Sequence, residues 1–496
     1  MRRLYVTLLT ACALAGLPAG AQESFDAFRE RVNKDFDNFA ATKNKEFADF
    51  RDKLNREYAD FVEKNWEAFD MLQGKPRPKD EEPRPPVVYP DEDKGKPIED
   101  EQKPIEEVIP VVKPKPQPQP VVPIEEDTKP RPVEQYFAFK FFNTDLKVRL
   151  DDEARFRLAG CDERDIARAW KMLSGQQYNS VINDCLRLRS EHKLCDWAYL
   201  LMLDELSKQF LGAGTNEAVL FTGFIYCQSG YKMRLASAGD KLYLLYASDY
   251  LIYEKNYWNV DGEKFYALDC DRSQIYICGA SFPQEKALSL QVATEQALAS
   301  APTRQRKLHS TGGVDVVVST NGNLMKFYDA YPTSMVGDDF GTRWAMYANT
   351  PLSSRARDML YPVLKKSVDG KTSAAAAGIL LNFVQTAFVY EYDDKVWGHD
   401  RAFFPDETLY YPYCDCEDRS ILFSRLVRDL LGLDVVLIYY PGHLATAVCF
   451  PDAVQGDYIL IGGKRYTICD PTYIGAPVGA TMPGMNNVSA KAILLD

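Results

Sequence analysis

The sequence predicts an α+β chain in which a helix carrying a thiol packs on an antiparallel sheet. A second α+β domain, a disordered Pro-rich linker and a long N-terminal helix are expected ahead of that core. Three observations point there. Apolar periodicity switches from helical to strand spacing between 416 and 469. Sixteen of the chain's 29 prolines fall within 74–133. Between 22 and 73 an aromatic residue returns every eleven positions. With 496 residues and 46% hydrophobic residues, the chain has room for two or three domains with real cores. A net charge of −12 argues against nucleic acid and anionic membrane surfaces as partners.

Residues 1–21 read as a signal peptide: Arg2-Arg3, an apolar run from Leu4 to Leu17, and Ala19-Gly20-Ala21 before the cut. Secretion, to a periplasmic compartment, is therefore expected. Leu9-Thr10-Ala11-Cys12 also has the form of a lipoprotein box, so membrane association enters only through lipidation at Cys12. In 22–73, Phe25, Phe36, Phe47, Tyr58 and Phe69 form one series, and Phe28, Phe39, Phe50 and Phe61 a second. Eleven residues over three helical turns keep both on one face. Such a coiled-coil-like stripe exposes too much aromatic surface to stand alone, so self-association or a partner protein is expected. Residues 74–133 alternate Pro with Glu, Lys, Asp and Val and read as a disordered spacer.

An N-terminal α+β domain is expected over 134–300, with a strand-like run from Tyr136 to Leu150 and helices from Glu163 to Phe210. In the 301–372 connection, Val314 to Tyr328 reads as a hairpin turning at Asn321-Gly322. A helix capped by Thr372 or Ser373 then leads through Gln385 into the core, 373–496. A fainter echo of that core runs from Asn216 to Asp269 at an offset near 202. It sets Lys241 at the position of His443 and Gly214 at that of Cys416, so the first copy would lack nucleophile and base. Chance likeness between two α+β units is the alternative.

The chemistry concentrates in Cys416, His443 and Asp470. Cys416 opens a helical run (Ile421, Leu422, Leu426, Val427, Leu430, Leu431) that stops at Gly432. His443 opens a strand after the Pro441-Gly442 turn, and Asp470 leaves a neighbouring strand. A thiol needs activation, and a helix N-terminus together with an imidazole supplies it. A carboxylate behind the imidazole fixes its tautomer. Glu417 and Asp418 work against this by raising the thiol pKa where they face it. A buried structural Cys, a surface His and a turn Asp-Pro are the bland alternative for each residue singly.

These residues carry a resemblance. Phe404-Pro405-Asp406-Glu407-Thr408-Leu409, Asp415-Cys416-Glu417-Asp418-Arg419-Ser420, Gly442-His443 and Cys469-Asp470-Pro471-Thr472 resemble the bacterial transglutaminase-like superfamily. Asn382-Phe383-Val384-Gln385 and Tyr390-Glu391-Tyr392-Asp393-Asp394 resemble it too, over roughly 373–479. The resemblance implies a papain-like fold, a Cys416–His443–Asp470 triad and Gln385 on the oxyanion side. Cys414 stands where relatives usually carry Gly, and Leu444-Ala445 follow His443 in place of the aromatic common in transglutaminases.

Ten cysteines remain beyond the signal segment, and Cys270 with Cys278 is the nearest local pair for a disulfide. No metal is expected, because the four histidines are scattered and CxxC and HExxH are missing. No cofactor motif is present. The expected function is a secreted cysteine hydrolase (peptidase or amidase) acting on protein or peptide substrates through a thioester. The alternatives are a cross-linking acyltransferase and a catalytically silent scaffold assembled by its N-terminal helix.

Overall fold

A computed structural model describes residues 45–77, 84–105, 107–124, 136–337 and 339–496. The expected signal peptide, Cys12 and the first half of the aromatic repeat lie outside those residues. Contacts divide the chain after Lys53. Residues 45–62 are helical (α1), and Phe47 and Phe50 are exposed in the first unit.

The unit from Leu54 to Asp496 is mixed α+β. Its first strands are β1 (Trp66–Asp70), β2 (Glu107–Ile109) and the hairpin β3 (Tyr136–Phe141) with β4 (Thr144–Arg149). Helices α2 (Glu163–Leu173), α3 (Asn179–Glu191), α4 (Asp196–Leu211) and α5 (Asn216–Gln228) follow. Next come β5 (Met233–Ala238), β6 (Lys241–Ala247), β7 (Tyr250–Ile252), β8 (Tyr257–Val260), β9 (Glu263–Ala267) and β10 (Gln274–Cys278). The connection holds β11 (Arg306–His309), β12 (Asp315–Val318), α6 (Gly322–Asp329), β13 (Ser334–Val336), α7 (Thr342–Asn349) and α8 (Ser354–Val368). The last part runs α9 (Ser373–Ala387), β14 (Val389–Tyr390), α10 (Asp393–Val396), α11 (Pro405–Tyr410), β15 (Tyr413–Cys414) and α12 (Cys416–Leu431). Strands β16 (Val435–Tyr440), β17 (His443–Val448), β18 (Tyr458–Ile461), β19 (Lys464–Cys469) and β20 (Lys491–Leu494) complete it.

Two six-stranded sheets share one plan over five strands and differ in the sixth, since β1 runs antiparallel to β10 and β2 parallel to β20. The first runs β1-β10-β5-β6-β9-β8 and the second β2-β20-β16-β17-β19-β18. In each, one helix precedes a hairpin and packs on it: α5 on β5–β6, α12 on β16–β17. The registers agree. Lys241 lies opposite Ala238 as His443 lies opposite Tyr440, and Tyr257 opposite Tyr266 as Tyr458 opposite Thr467. Leu72 bridges to Tyr257, so the first sheet closes nearly into a barrel, while the second curls to a half-barrel. One apolar core runs through both, from Tyr58 and Trp170 to Ile421, Leu437 and Ile493.

Five expectations need correction. The N-terminal helix does not reach residue 73: it ends at 62 and Phe69 lies in β1, paired with Ile275. Tyr58 is not part of an open stripe but stacks against Trp170 at 4.4 Å between ring centroids, a contact worth about 1 kcal/mol beyond its area. The described parts of the Pro-rich segment are not a loose spacer. Pro has no N–H to leave unpaired, and its neighbours pair with the sheets: Val88 with Ile474, Gln102 with Tyr458, β2 with β20. The expected hairpin over 314–328 is different too: β12 pairs backward with β11, and the Asn321 side chain caps α6 by accepting from Asn323 N–H. Finally, Cys270 and Cys278 are both thiols.

Candidate active site

Helix α12 begins at Cys416 because Asp415 caps it. The Asp415 carboxylate accepts from Glu417 and Asp418 N–H, and Asp418 accepts in turn from Asp415 N–H at 3.2 Å. Ile421, Leu422, Leu426 and Val427 are buried, and Gly432 ends the helix at φ +67°. Ser420 Oγ donates to the Leu444 carbonyl at 2.8 Å, which fixes α12 to the strand that His443 opens.

Strand β17 pairs with β19 so that Thr446 faces Cys469, and the chain leaving β19 carries Asp470 to the imidazole. His443 Nε2 and Asp470 Oδ2 are 2.9 Å apart and fully buried. Asp470 Oδ1 accepts from Thr472 N–H (2.8 Å) and Tyr473 N–H (3.2 Å), so the carboxylate is held at both oxygens. His443 Nδ1 is buried without a hydrogen-bond partner. Cys416 and His443 line one cavity of about 450 Å³.

Gln385 lies beside this pair, though not as an oxyanion donor. Its Nε2 donates to the carbonyls of Asp470, Tyr473 and Ala476 within 3.1 Å, and its Oε1 accepts from Gly475 N–H. Both of its N–H donors go to shaping the loop that presents Asp470. The buried Arg419 joins the parts: its guanidinium donates to the Gln385 and Phe388 carbonyls, at the C-terminal end of α9.

The cavity is rich in acids, among them Asp393, Asp400, Asp415 and Glu417. Burial, and then the Asp415 charge, push Asp393 up to about 9. The same two causes drive Asp418 well above the usual carboxyl range. Asp393 therefore holds a proton near neutral pH, which leaves less negative charge in the cavity than the number of its acids suggests. Donor atoms of Asp393, Asp400 and Glu417 fall within 4.8 Å of one another. Arg343, fully buried, pairs with Asp400 and lies 3.9 Å from Glu417, so a guanidinium already serves that cluster as its cation.

Four wall residues come from outside 373–496: Pro76, Arg77, Glu254, which ion-pairs Arg77 at 2.9 Å, and Trp344. Sequence reading missed them because only tertiary packing brings them there. Tyr390 was quoted only as part of a motif. Its phenol is raised by burial first and then by the nearby Cys416 and Asp415, so it keeps its proton.

The corresponding place in the first sheet differs. Helix α5 has 13 residues against 16 in α12, and Gly214 lies ahead of it. Asn216 spans the gap: its Nδ2 donates to the Asp240 carbonyl (2.7 Å) and its Oδ1 accepts from Leu242 N–H (2.9 Å). Lys241, between those two, is exposed. Among the described residues no helix is long and apolar enough to cross a membrane. Compared with known proteins, the chain matches no family model, no curated protein and no solved structure.

Proposed function

We propose that this protein is a cysteine hydrolase of transglutaminase-like, papain-like type that cleaves an amide bond in a protein or peptide. One observation carries the reading. A buried imidazole is held by a carboxylate on one nitrogen, has its other nitrogen unpartnered, and shares a cavity with a cysteine at a helix N-terminus. In the first half-reaction, Cys416 Sγ bonds to the amide carbonyl carbon and the C–N bond breaks. The thiol proton passes through His443 Nδ1 to the leaving nitrogen, releasing an amine. In the second, water gives a proton to His443 as its oxygen bonds to the thioester carbon. The C–S bond breaks, the acid leaves, and the proton returns to Cys416. The positive end of α12 faces the developing oxyanion, and Asp470 keeps the imidazole in register.

The N-terminal features fit a secreted protein, and the exposed Phe47, Phe50 and Phe61 fit an assembly or partner contact. The test is a peptide and amide substrate screen on wild type beside Cys416→Ala. Turnover is expected with wild type alone, together with a trapped acyl-enzyme mass on the peptide containing Cys416. Equal turnover in Cys416→Ala sinks the reading. Adding a primary amine separates the outcomes: a cross-linker transfers the acyl group to it, whereas a hydrolase releases acid.

A further inference from the structure

We infer that the Pro-rich arm, through the backbone of Arg84 to Tyr89, is a positioning element for His443 and Asp470, an inference that rests on the reading above. The arm touches the supports of both residues. Arg84 N–H donates to the carbonyl of Gly442, the residue before His443, at 3.0 Å. Three residues on, the arm pairs with the Asp470 loop. Ile474 N–H donates to the Val87 carbonyl at 2.8 Å, and Tyr89 N–H donates to the Ile474 carbonyl at 2.9 Å. The Tyr89 ring, 9% exposed, meets the Tyr473 ring edge-on at 5.3 Å. Arg84 Nη1 donates to the Gly484 carbonyl at 2.7 Å.

The loop from Asp470 to Ala476 is therefore clamped from two sides. Gln385 grips it through the Asp470, Tyr473 and Ala476 carbonyls, and the arm grips Ile474. Tyr473 serves both clamps: its N–H donates to Asp470 Oδ1, its carbonyl accepts from Gln385, and its ring packs on Tyr89. Further on, Lys103 N–H donates to the Tyr458 carbonyl, and Asp100 accepts from Gly456 N–H and Arg465. These contacts hold the arm against the far edge of the same sheet. A triad works only within a few tenths of an ångström of its productive geometry, and loops seldom keep that unaided. A segment rich in Pro loses little entropy on docking, which suits it to the task.

The full chain tests this through one atom. Arg84→Pro deletes the N–H while its flanks, Pro83, Pro85 and Pro86, already favour the same extended backbone; Arg84→Ala keeps the N–H. Alkylation of Cys416 by iodoacetamide, mapped by mass across pH, needs no substrate and reads the His443-coupled thiol directly. Arg84→Pro is expected to shift the acid limb of that profile by at least half a pH unit and to lower kcat about tenfold with KM within twofold. Arg84→Ala should stay within twofold on all three. Tyr89→Ala should follow Arg84→Pro, and Tyr89→Phe should restore wild-type behaviour, because the ring rather than the hydroxyl meets Tyr473. Arg84→Pro matching Arg84→Ala overturns the inference, as does a loss that only tracks a lower melting temperature with an unmoved profile. The underlying reading fails separately, when wild-type Cys416 shows no His443-dependent profile at all.

Discussion

The two sheets are the same construction put to different ends. Over five strands the order, register and supporting helix agree, yet beside the second sheet lies a cavity lined by Cys416 and His443, where the first sheet has a hydrogen-bonded Asn216. The difference is local to one helix end. Helix α12 starts early enough to bring a thiol to the hairpin turn, with a carboxylate cap holding its first turn in place. Helix α5 starts later and ties itself to the turn directly. A fold of this kind thus supports a site without requiring one, and a few residues at the helix start decide which. What the first half of the fold does contribute is a wall: Glu254, just after β7, lines the cavity of Cys416 and His443.

The largest effect should come from the positions where the sheets correspond. Cys416→Ala or His443→Ala should lower kcat/KM by on the order of 10³ or more, whereas Lys241→Ala should leave it within twofold. Comparable losses at Lys241 would mean that the first sheet takes part in chemistry. Cys414→Ser should be tolerated, since Cys414 Sγ points at the Val389 carbonyl. One step down, Asp470→Asn should cost on the order of 10²–10⁴ in kcat, because the imidazole loses its tautomer lock. Asp269→Asn, at the matching exit from β9, should be silent in the same assay.

A smaller contrast concerns Gly230 and Gly432, each just past the matching helix and each at positive φ, +91° and +67°. A Cβ on Gly432 meets open space, so Gly432→Ala should cost only the left-handed strain of about 1–2 kcal/mol. A Cβ on Gly230 would meet the Gln119 carbonyl oxygen at 2.2 Å, on the Pro-rich arm. Gly230→Ala should therefore destabilise clearly more in urea melts and expose the arm to protease. Equal costs would mean that the arm is not docked there.

The smallest effect is a pH slope. Asp393, pushed up to about 9, binds a proton in the folded state that the unfolded chain releases above about 4. The folded protein then holds more protons across that window, so its stability falls as pH rises through it. Asp393→Asn should flatten the decline in melting temperature between pH 5 and 9. An unchanged slope would place the proton elsewhere in the Asp393–Asp415–Asp418 group.

Local chemistry made much of this readable in advance. Asp415, the apolar run of α12 and Gly432 mark a helix from start to stop. Pro441-Gly442 marks the turn that sets His443 at the head of a strand. The offset near 202 between Lys241 and His443 was visible as spacing alone, because register depends on residue counts along neighbouring strands. Gln385 shows the limit. A motif places it near the site, but only the carbonyls of Asp470, Tyr473 and Ala476 reveal where its amide points.

The sequence by itself determined helix α12, the strands from β16 to β19 and the order of Cys416, His443 and Asp470, since caps, turns and periodicity act over a few residues. The tertiary structure decided the rest. A segment of Pro, Glu and Lys reads as disordered because it has no core of its own to bury. It is held nonetheless, because two sheets with open edges offer backbone partners that no local pattern records. Residues as far apart as Arg84 and Gly442 meet only after the chain has folded. The same holds for Glu254 and Trp344 in the wall beside Cys416.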